Sequence, residues 1–147
     1  MAAGTIVLCS SANFYQHVND LADELEKLGF IAVVPHNAKM MKESGNYDPA
    51  AYKTWYGNAD DFDKKAQYMR WHFDEIAKGD AVLVVNDTKH GVDGYIGSNV
   101  LLEMGLAFYL HKPIFILNPV DTSLANYEEV YGMAPVFLAS DLSKISF

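Results

Sequence analysis

A chain of 147 residues, half of them apolar and a fifth charged, is enough to bury one globular core and lies far from the polar, highly charged regime of disorder. Its formal charge of −8, with Arg70 as the single arginine and no basic cluster in the sequence, excludes a surface built for a nucleic-acid backbone and favours a small neutral or singly charged ligand. No window approaches ~18 uninterrupted apolar residues, the first residues lack a signal-peptide pattern, and Cys9 is the only cysteine, so a cytoplasmic protein with no membrane partner and no disulfide is expected.

The first element is the β-rich run Thr5 to Cys9 (TIVLC), which predicts a buried strand opening into the polar loop Ser10-Ser11-Ala12-Asn13. A helix follows from about Phe14 to Leu28: Val18, Leu21, Leu25 and Leu28 recur at helical spacing, acidic residues fill the other faces, and Gly29 supplies the stop. Phe30 to Pro35 is a second apolar run, so the first third reads as a parallel βαβ unit with a right-handed crossover. Residues 36–58 show no clear period and read as a long, partly ordered excursion over the ligand end of the sheet.

A helical stripe returns from about Asp60 to Lys78 through Phe62, Ala66, Met69, Phe73 and Ile76. Ala81 to Val85 (AVLVV) is apolar at every position, as a strand covered on both faces requires. The glycine-rich polar segment after it predicts a loop, and a helix at about Asn99 to Leu110, a strand at Ile114 to Leu117, a short helix near Tyr127 and a strand at Val136 to Leu138 complete the chain. Five strands alternating with helices predict one α/β domain over 1–147, a flavodoxin-like doubly wound parallel sheet of order 2-1-3-4-5. Ligands of such sheets bind outside the carboxyl ends of the strands, which puts the loops after Cys9 and Asn86 at the mouth of any site.

Glu103 breaks the pattern of its own helix. Its neighbours at minus three, plus three, plus four and plus seven are Val100, Leu106, Ala107 and Leu110, so a carboxylate occupies an apolar face. Such a group must reach the open end of the sheet or be buried, where its pKa rises or it finds a partner. An ordinary early-helix acid favouring the macrodipole is the bland alternative. Gly105, two positions on, costs about 1 kcal/mol against alanine in a helix, which points to close packing there.

The succession VLCSSA, GDAVLVVN, a glycine-containing loop and LLEMGLAFYLHKPIFIL, from about Thr5 to Leu117, resembles the nucleoside 2-deoxyribosyltransferases and the related deoxynucleoside 5′-monophosphate N-glycosidases. The segment Glu103-Met104-Gly105-Leu106-Ala107 is similar to their Glu-Leu-Gly-x-Ala, and the closer wording is that of a poorly characterised branch of the superfamily. The resemblance implies cleavage or transfer at an N-glycosidic bond, with Glu103 as the nucleophile on the anomeric carbon of a 2-deoxyribonucleoside or its 5′-monophosphate. An aspartate of the family, eight residues ahead of the one matched by Asp80, is replaced here by His72. His72 is therefore expected to assist as a proton donor and Asp80 to assist or orient, although packing explains the first equally simply and a residue placed like the second is more often a turn and capping residue.

Ser10, Ser11 and Asn13 ahead of the first helix, and Gly97, Ser98 and Asn99 ahead of the second-last, offer hydroxyls and amides to a sugar or a phosphate, and they are also ordinary caps. Among Tyr15, Trp55, Tyr56, Trp71 and Tyr95, the aromatic surface expected to stack on a base is Tyr95 and one residue of the Tyr52 to Tyr56 segment. Cys9, inside an apolar run, reads as a small buried hydrophobe. The five histidines lack zinc spacing and the glycines lack dinucleotide or P-loop spacing, so no metal and no cofactor is expected.

Met40, Met41, Tyr47, Tyr52, Trp55 and Tyr56 in the 36–58 excursion suggest an interface, and the resemblance also implies a homodimer or homotetramer sharing its sites; the competing expectation is a lid over the chain's own pocket. A non-catalytic nucleotide- or nucleotide-sugar-binding module of the same fold is the alternative to an enzyme.

Overall fold

The computed structural model describes residues 2–147. Strands β1 (Thr5–Ser10), β2 (Ile31–Val33), β3 (Ala81–Val85), β4 (Ile114–Ile116) and β5 (Val136–Phe137) form one all-parallel sheet in the order β2-β1-β3-β4-β5. The architecture is flavodoxin-like α/β. Strand residues alternate between two cores. Ile6, Leu8, Leu83 and Val85 meet Val18, Leu21 and Leu25 of α1 (Tyr15–Lys27) on one face. Val7, Cys9, Val82 and Val84 meet Ile76 of α3 (Phe62–Lys78) and Val100, Met104 and Ala107 of α4 (Ser98–Tyr109) on the other.

Two elements differ from the reading of the sequence. Residues His36–Ser44 form a helix, α2, followed by three short 3-10 turns at Pro49–Ala51, Thr54–Tyr56 and Ala59–Asp61. Pro35 precedes α2 and Gly45, at φ 74°, terminates it, the usual order of start and stop residues. The helix escapes a search for periodicity because only Ala38 and Met41 of its nine residues are buried. In addition, part of the excursion turns inward: Met41 and Trp55 are buried and Tyr47 and Tyr52 half-buried, whereas Met40 and Tyr56 stay exposed.

The chain switches direction of winding between β1 and β3, whose pairing runs to Ser10 opposite Val85. Just beyond it, buried Asn86 fixes the loop after β4: its Nδ2 donates to the Asn118 carbonyl at 2.9 Å and its Oδ1 accepts the Asn118 N–H at 2.9 Å. Gly94 in the β3–α4 loop, at φ 67°, lies so close to Pro119 that a Cβ would stand 2.1 Å from its carbonyl oxygen. Only glycine meets both conditions, and this backbone approach anchors the loop that carries Tyr95, Gly97 and Ser98. A short helix α5 (Tyr127–Gly132) and a turn at Leu142–Lys144 close the chain. Among the described residues no helix is long and apolar enough to cross a membrane.

Candidate functional site

At the carboxyl end of β1, three side chains from separate elements meet under the sheet switch: Cys9 of β1, His72 of α3 and Glu103 of α4, all buried. The local reason is helical spacing. His72 lies one turn before the core residue Ile76, and Glu103 lies one turn after Val100 and one before Ala107, so each faces the strands with its apolar neighbours.

The protonation states follow from the contacts. His72 Nε2 stands 2.9 Å from the Leu8 carbonyl oxygen, which can only accept, so this nitrogen carries a hydrogen and donates it there. Burial lowers the imidazole pKa to about 4, the Leu8 bond working in the other direction. His72 is therefore neutral near pH 7. Glu103 Oε1 accepts a hydrogen bond from Asn99 Nδ2 at 2.8 Å, one helical turn earlier. Its Oε2 has no hydrogen-bond partner among the described residues. The nearby His72 Nε2, at 3.3 Å, already points its N–H at Leu8.

Burial raises the Glu103 carboxyl from an ordinary 4.5 to about 8, against smaller opposing effects of Cys9 and Lys65. The acid is thus mostly protonated at pH 7, and the close approach of His72 and Glu103 joins two neutral groups rather than an ion pair. Burial, then the charge of Glu103, also pushes the Cys9 thiol up, which removes it as a ready thiolate nucleophile. The phenol of Tyr15 moves up for the same two reasons.

The donor atoms of Cys9, His72 and Glu103 lie within 4.8 Å of one another and could hold a metal ion. A cation at that point would need the thiol and carboxyl deprotonated and the His72–Leu8 bond broken. The contacts seen here instead form a neutral, hydrogen-bonded cluster.

One cavity reaches this cluster through His72 and Glu103, and a second adjoins it. An inner one of about 60 Å³ is lined by Glu103, His72 and Asn99 together with Tyr15, Trp55 and Tyr68, and the excursion covers it through Pro49, Tyr52 and Lys53. An outer one of about 290 Å³ is bounded by Ser10, Ser11, Tyr95, Gly97, Ser98 and Asn99 and shares Tyr15, Lys53 and Lys65 with the first. The two serines, the Gly97-Ser98-Asn99 turn and Tyr95 are therefore brought together around the outer cavity, and of these only Asn99 also lines the inner cavity with Glu103 and His72.

Two expected residues are not. Asp80 stands exposed at the opposite, amino-terminal end of β3, where its Oδ2 accepts the Thr5 N–H at 2.8 Å. Four residues of strand separate it from the level of Cys9, about 13 Å, so it can reach neither Glu103 nor a ligand beside it. Asn13 is exposed, accepts only from Ser11 Oγ at 3.4 Å and lines neither cavity.

The structure adds residues that sequence reasoning passed over. Lys53, Lys65 and Lys89 all line the outer cavity, so its mouth is richer in cations than the scarcity of arginine suggested. Lys65 was legible in principle: it precedes His72 by seven residues, two helical turns, and so shares its face. Lys53 and Lys89 sit in irregular segments and carried no periodic signal. No protein-family model and no curated protein matches this sequence.

Proposed function

We propose that this chain cleaves or transfers at the N-glycosidic bond of a 2-deoxyribonucleoside or its 5′-monophosphate, with Glu103 as the nucleophile, in keeping with the resemblance of its Glu-Met-Gly-Leu-Ala segment to the nucleoside 2-deoxyribosyltransferase superfamily. The observation that carries the reading is the Glu103 carboxyl itself: buried, held through Oε1 by Asn99, and unpartnered at Oε2 in a cavity walled by aromatic rings. In its ionised form Oε2 would attack C1′ as the C1′–N bond breaks. The bonding pair leaves with the base, which takes its proton from solvent at the mouth. Water or a second base then attacks C1′ and releases the carboxylate.

In this reading His72 positions Glu103 rather than acting as a charged acid, because its N–H is committed to Leu8 and its ring is neutral. Asn99 orients the carboxyl, and Lys65 orients Asn99 by donating to its Oδ1 at 3.2 Å. The inner cavity admits only part of a sugar, so the base requires the 49–56 cover to lift. No cofactor enters the reaction. A reducing cytoplasm suits the free, buried Cys9.

The deciding experiment incubates the protein with a panel of deoxynucleosides and deoxynucleoside 5′-monophosphates, with and without acceptor bases, and measures free base by chromatography. Release from at least one substrate is expected, with exchange if the acceptor is a base. No release from any of them overturns the reading. Thermal stabilisation by a nucleotide recovered intact would instead assign the alternative, a binding module.

The same reading takes the chain as a homodimer or a tetramer of dimers. Besides Met40 and Tyr56 of the excursion, the outer side of α4 offers apolar surface to a second copy: Leu102, Phe108 and Tyr109 are each more than half exposed. Among the described residues, and leaving aside its chain neighbours and its own helix backbone, nothing lies within 4 Å of a Cβ added at Gly105, so the close-packing partner expected from the sequence is sought in a second copy. Light scattering at micromolar concentration is expected to give at least twice the 16.4 kDa chain mass, and Leu102→Glu to halve it. A monomeric wild type would remove the shared-site picture.

A further inference from the structure

We propose that Cys9, His72 and Glu103 form a site for one thiophilic divalent cation of the zinc class, which takes up the reactive carboxylate and so switches the protein off; the switch rests on the glycosidic reading, whereas the metal site does not.

Geometry comes first. Cys9 Sγ stands 3.7 Å from His72 Nε2, which stands 3.3 Å from Glu103 Oε2. The ligand atoms of the three residues all lie within 4.8 Å of one another. A tetrahedral zinc ion holds sulfur at about 2.3 Å and nitrogen and oxygen at about 2.0–2.1 Å, which sets the sulfur-to-nitrogen edge at about 3.6 Å and the nitrogen-to-oxygen edge at about 3.3 Å. Two edges of the triangle therefore already have the lengths the ion requires. The ligands come from β1, α3 and α4, so the site is assembled by the fold and leaves no spacing motif in the sequence.

Two of the groups are otherwise unexplained. Cys9 takes no part in the glycosidic chemistry and makes only long sulfur contacts, to the Val7 carbonyl and to His72. Glu103 is 3% exposed, and its Oε2 has no hydrogen-bond partner among the described residues, a state that costs free energy until something meets that atom. A dication does so without leaving net charge in the core: it enters, the thiol and the carboxyl each lose a proton to solvent, and the cluster is neutral before and after. What is given up is the His72 hydrogen bond to Leu8. The ring proton moves from Nε2 to Nδ1, and the ring turns so that the Nε2 lone pair meets the metal.

The donor set selects the ion. A thiolate beside an imidazole suits zinc, whereas magnesium and calcium take oxygen ligands. Three protein ligands leave a fourth position for water, supplied from the inner cavity that His72 and Glu103 line. Bound zinc holds Oε2, so the carboxylate cannot reach an anomeric carbon. Lys53 and Lys65 line the same cavity and repel an entering dication, so the site fills slowly and the protein has to be equilibrated with the metal rather than mixed with it.

The test takes the whole chain, strips it with a chelator and equilibrates it with zinc, cobalt(II), magnesium or calcium. Calorimetry and metal analysis are expected to give a single zinc per chain and no uptake of magnesium or calcium. Cobalt(II) is expected to show the near-ultraviolet charge-transfer absorption of a cobalt–thiolate bond with the strong visible bands of four-coordination. Cys9→Ala should abolish the charge-transfer band and weaken zinc by at least about a hundredfold, and Glu103→Gln should weaken zinc by at least about tenfold with the band kept. The band is read on wild type and Cys9 is the single cysteine, so it decides the site even where a variant fails to fold. Zinc binding without that band, or of unchanged affinity in Cys9→Ala, comes from surface groups and overturns the site. For the switch, stoichiometric zinc is expected to stop base release by wild type and excess chelator to restore it; release that persists with zinc bound overturns the switch. Absence of base release from the stripped protein alongside a Cys9-dependent zinc site would remove the glycosidic reading and leave the metal site standing.

Discussion

Replacing Glu103 by glutamine is expected to lower the rate of base release by about 10³-fold or more while making the folded protein more stable at pH 8. Both effects come from one feature, an acid held where its charge is disfavoured. Glutamine keeps the shape and the acceptor that Asn99 Nδ2 uses, but it cannot ionise or form the glycosyl ester, so the covalent route closes. The stability effect has a definite sign. The carboxyl titrates at about 8 in the folded chain against an ordinary 4.5, so between those values the folded state holds a proton that the unfolded chain has lost. Wild-type stability therefore falls with rising pH across that window, a loss that the variant escapes. Denaturant titrations at pH 4 and pH 8 check this: the two proteins should match at the lower pH and separate at the higher. Equal stabilities at pH 8 would show that Glu103 ionises freely, and wild-type rates in the variant would remove it as the nucleophile.

The sheet was legible because its signals are redundant. The run AVLVV has no polar position, so β3 had to be covered on both faces, and the stripe Val18, Leu21 and Leu25 fixed α1 against the sheet independently. Helix α2 lacked that redundancy. Its start and stop residues, Pro35 and Gly45, were visible, but two buried residues make no stripe, and the rest of the segment is ordered by tertiary contacts such as the stacking of His36 on Tyr68 at 5.8 Å.

Glu103 was legible for the opposite reason: a carboxylate on an apolar face contradicts its surroundings, and contradictions of that kind mark sites. Its companionship with Asn99 was implicit in their four-residue spacing. The meeting of Cys9, His72 and Glu103 was not legible, since it depends on how α3 and α4 dock on β1. Asp80 misled because matching a residue along the chain does not say which end of the strand it occupies. Residues one position outside β3 at either end differ by the whole strand length, and Asp80 is at the end away from the site. The lysines show a further limit. Formal charge summed over the chain was −8, but a ligand meets the local field, and three cations from distant segments line the outer cavity.

Across pH 6 to 9, kcat/KM for base release is expected to rise roughly a hundredfold, tenfold per unit below pH 8 and level above it. The free protein holds Glu103 protonated until about pH 8, and only the ionised form attacks, so the competent fraction is about a hundredth at pH 6, a tenth at pH 7 and near one at pH 9. Neither neighbour confuses the limb: His72 titrates near 4 and the Cys9 thiol is pushed well up. A phosphate monoester loses its second proton near pH 6, so a monophosphate substrate bends only the foot of the curve. Substituting Asn99 by alanine removes the hydrogen bond to Oε1, a bond that favours the carboxylate over the acid. The limb should therefore move to higher pH in Asn99→Ala, lowering the rate at pH 7 more than at pH 9. Initial-rate measurements in buffers of constant ionic strength read both curves. A profile that falls across pH 8 would assign activity to the protonated carboxyl, a proton donor, and the nucleophilic role would go with it.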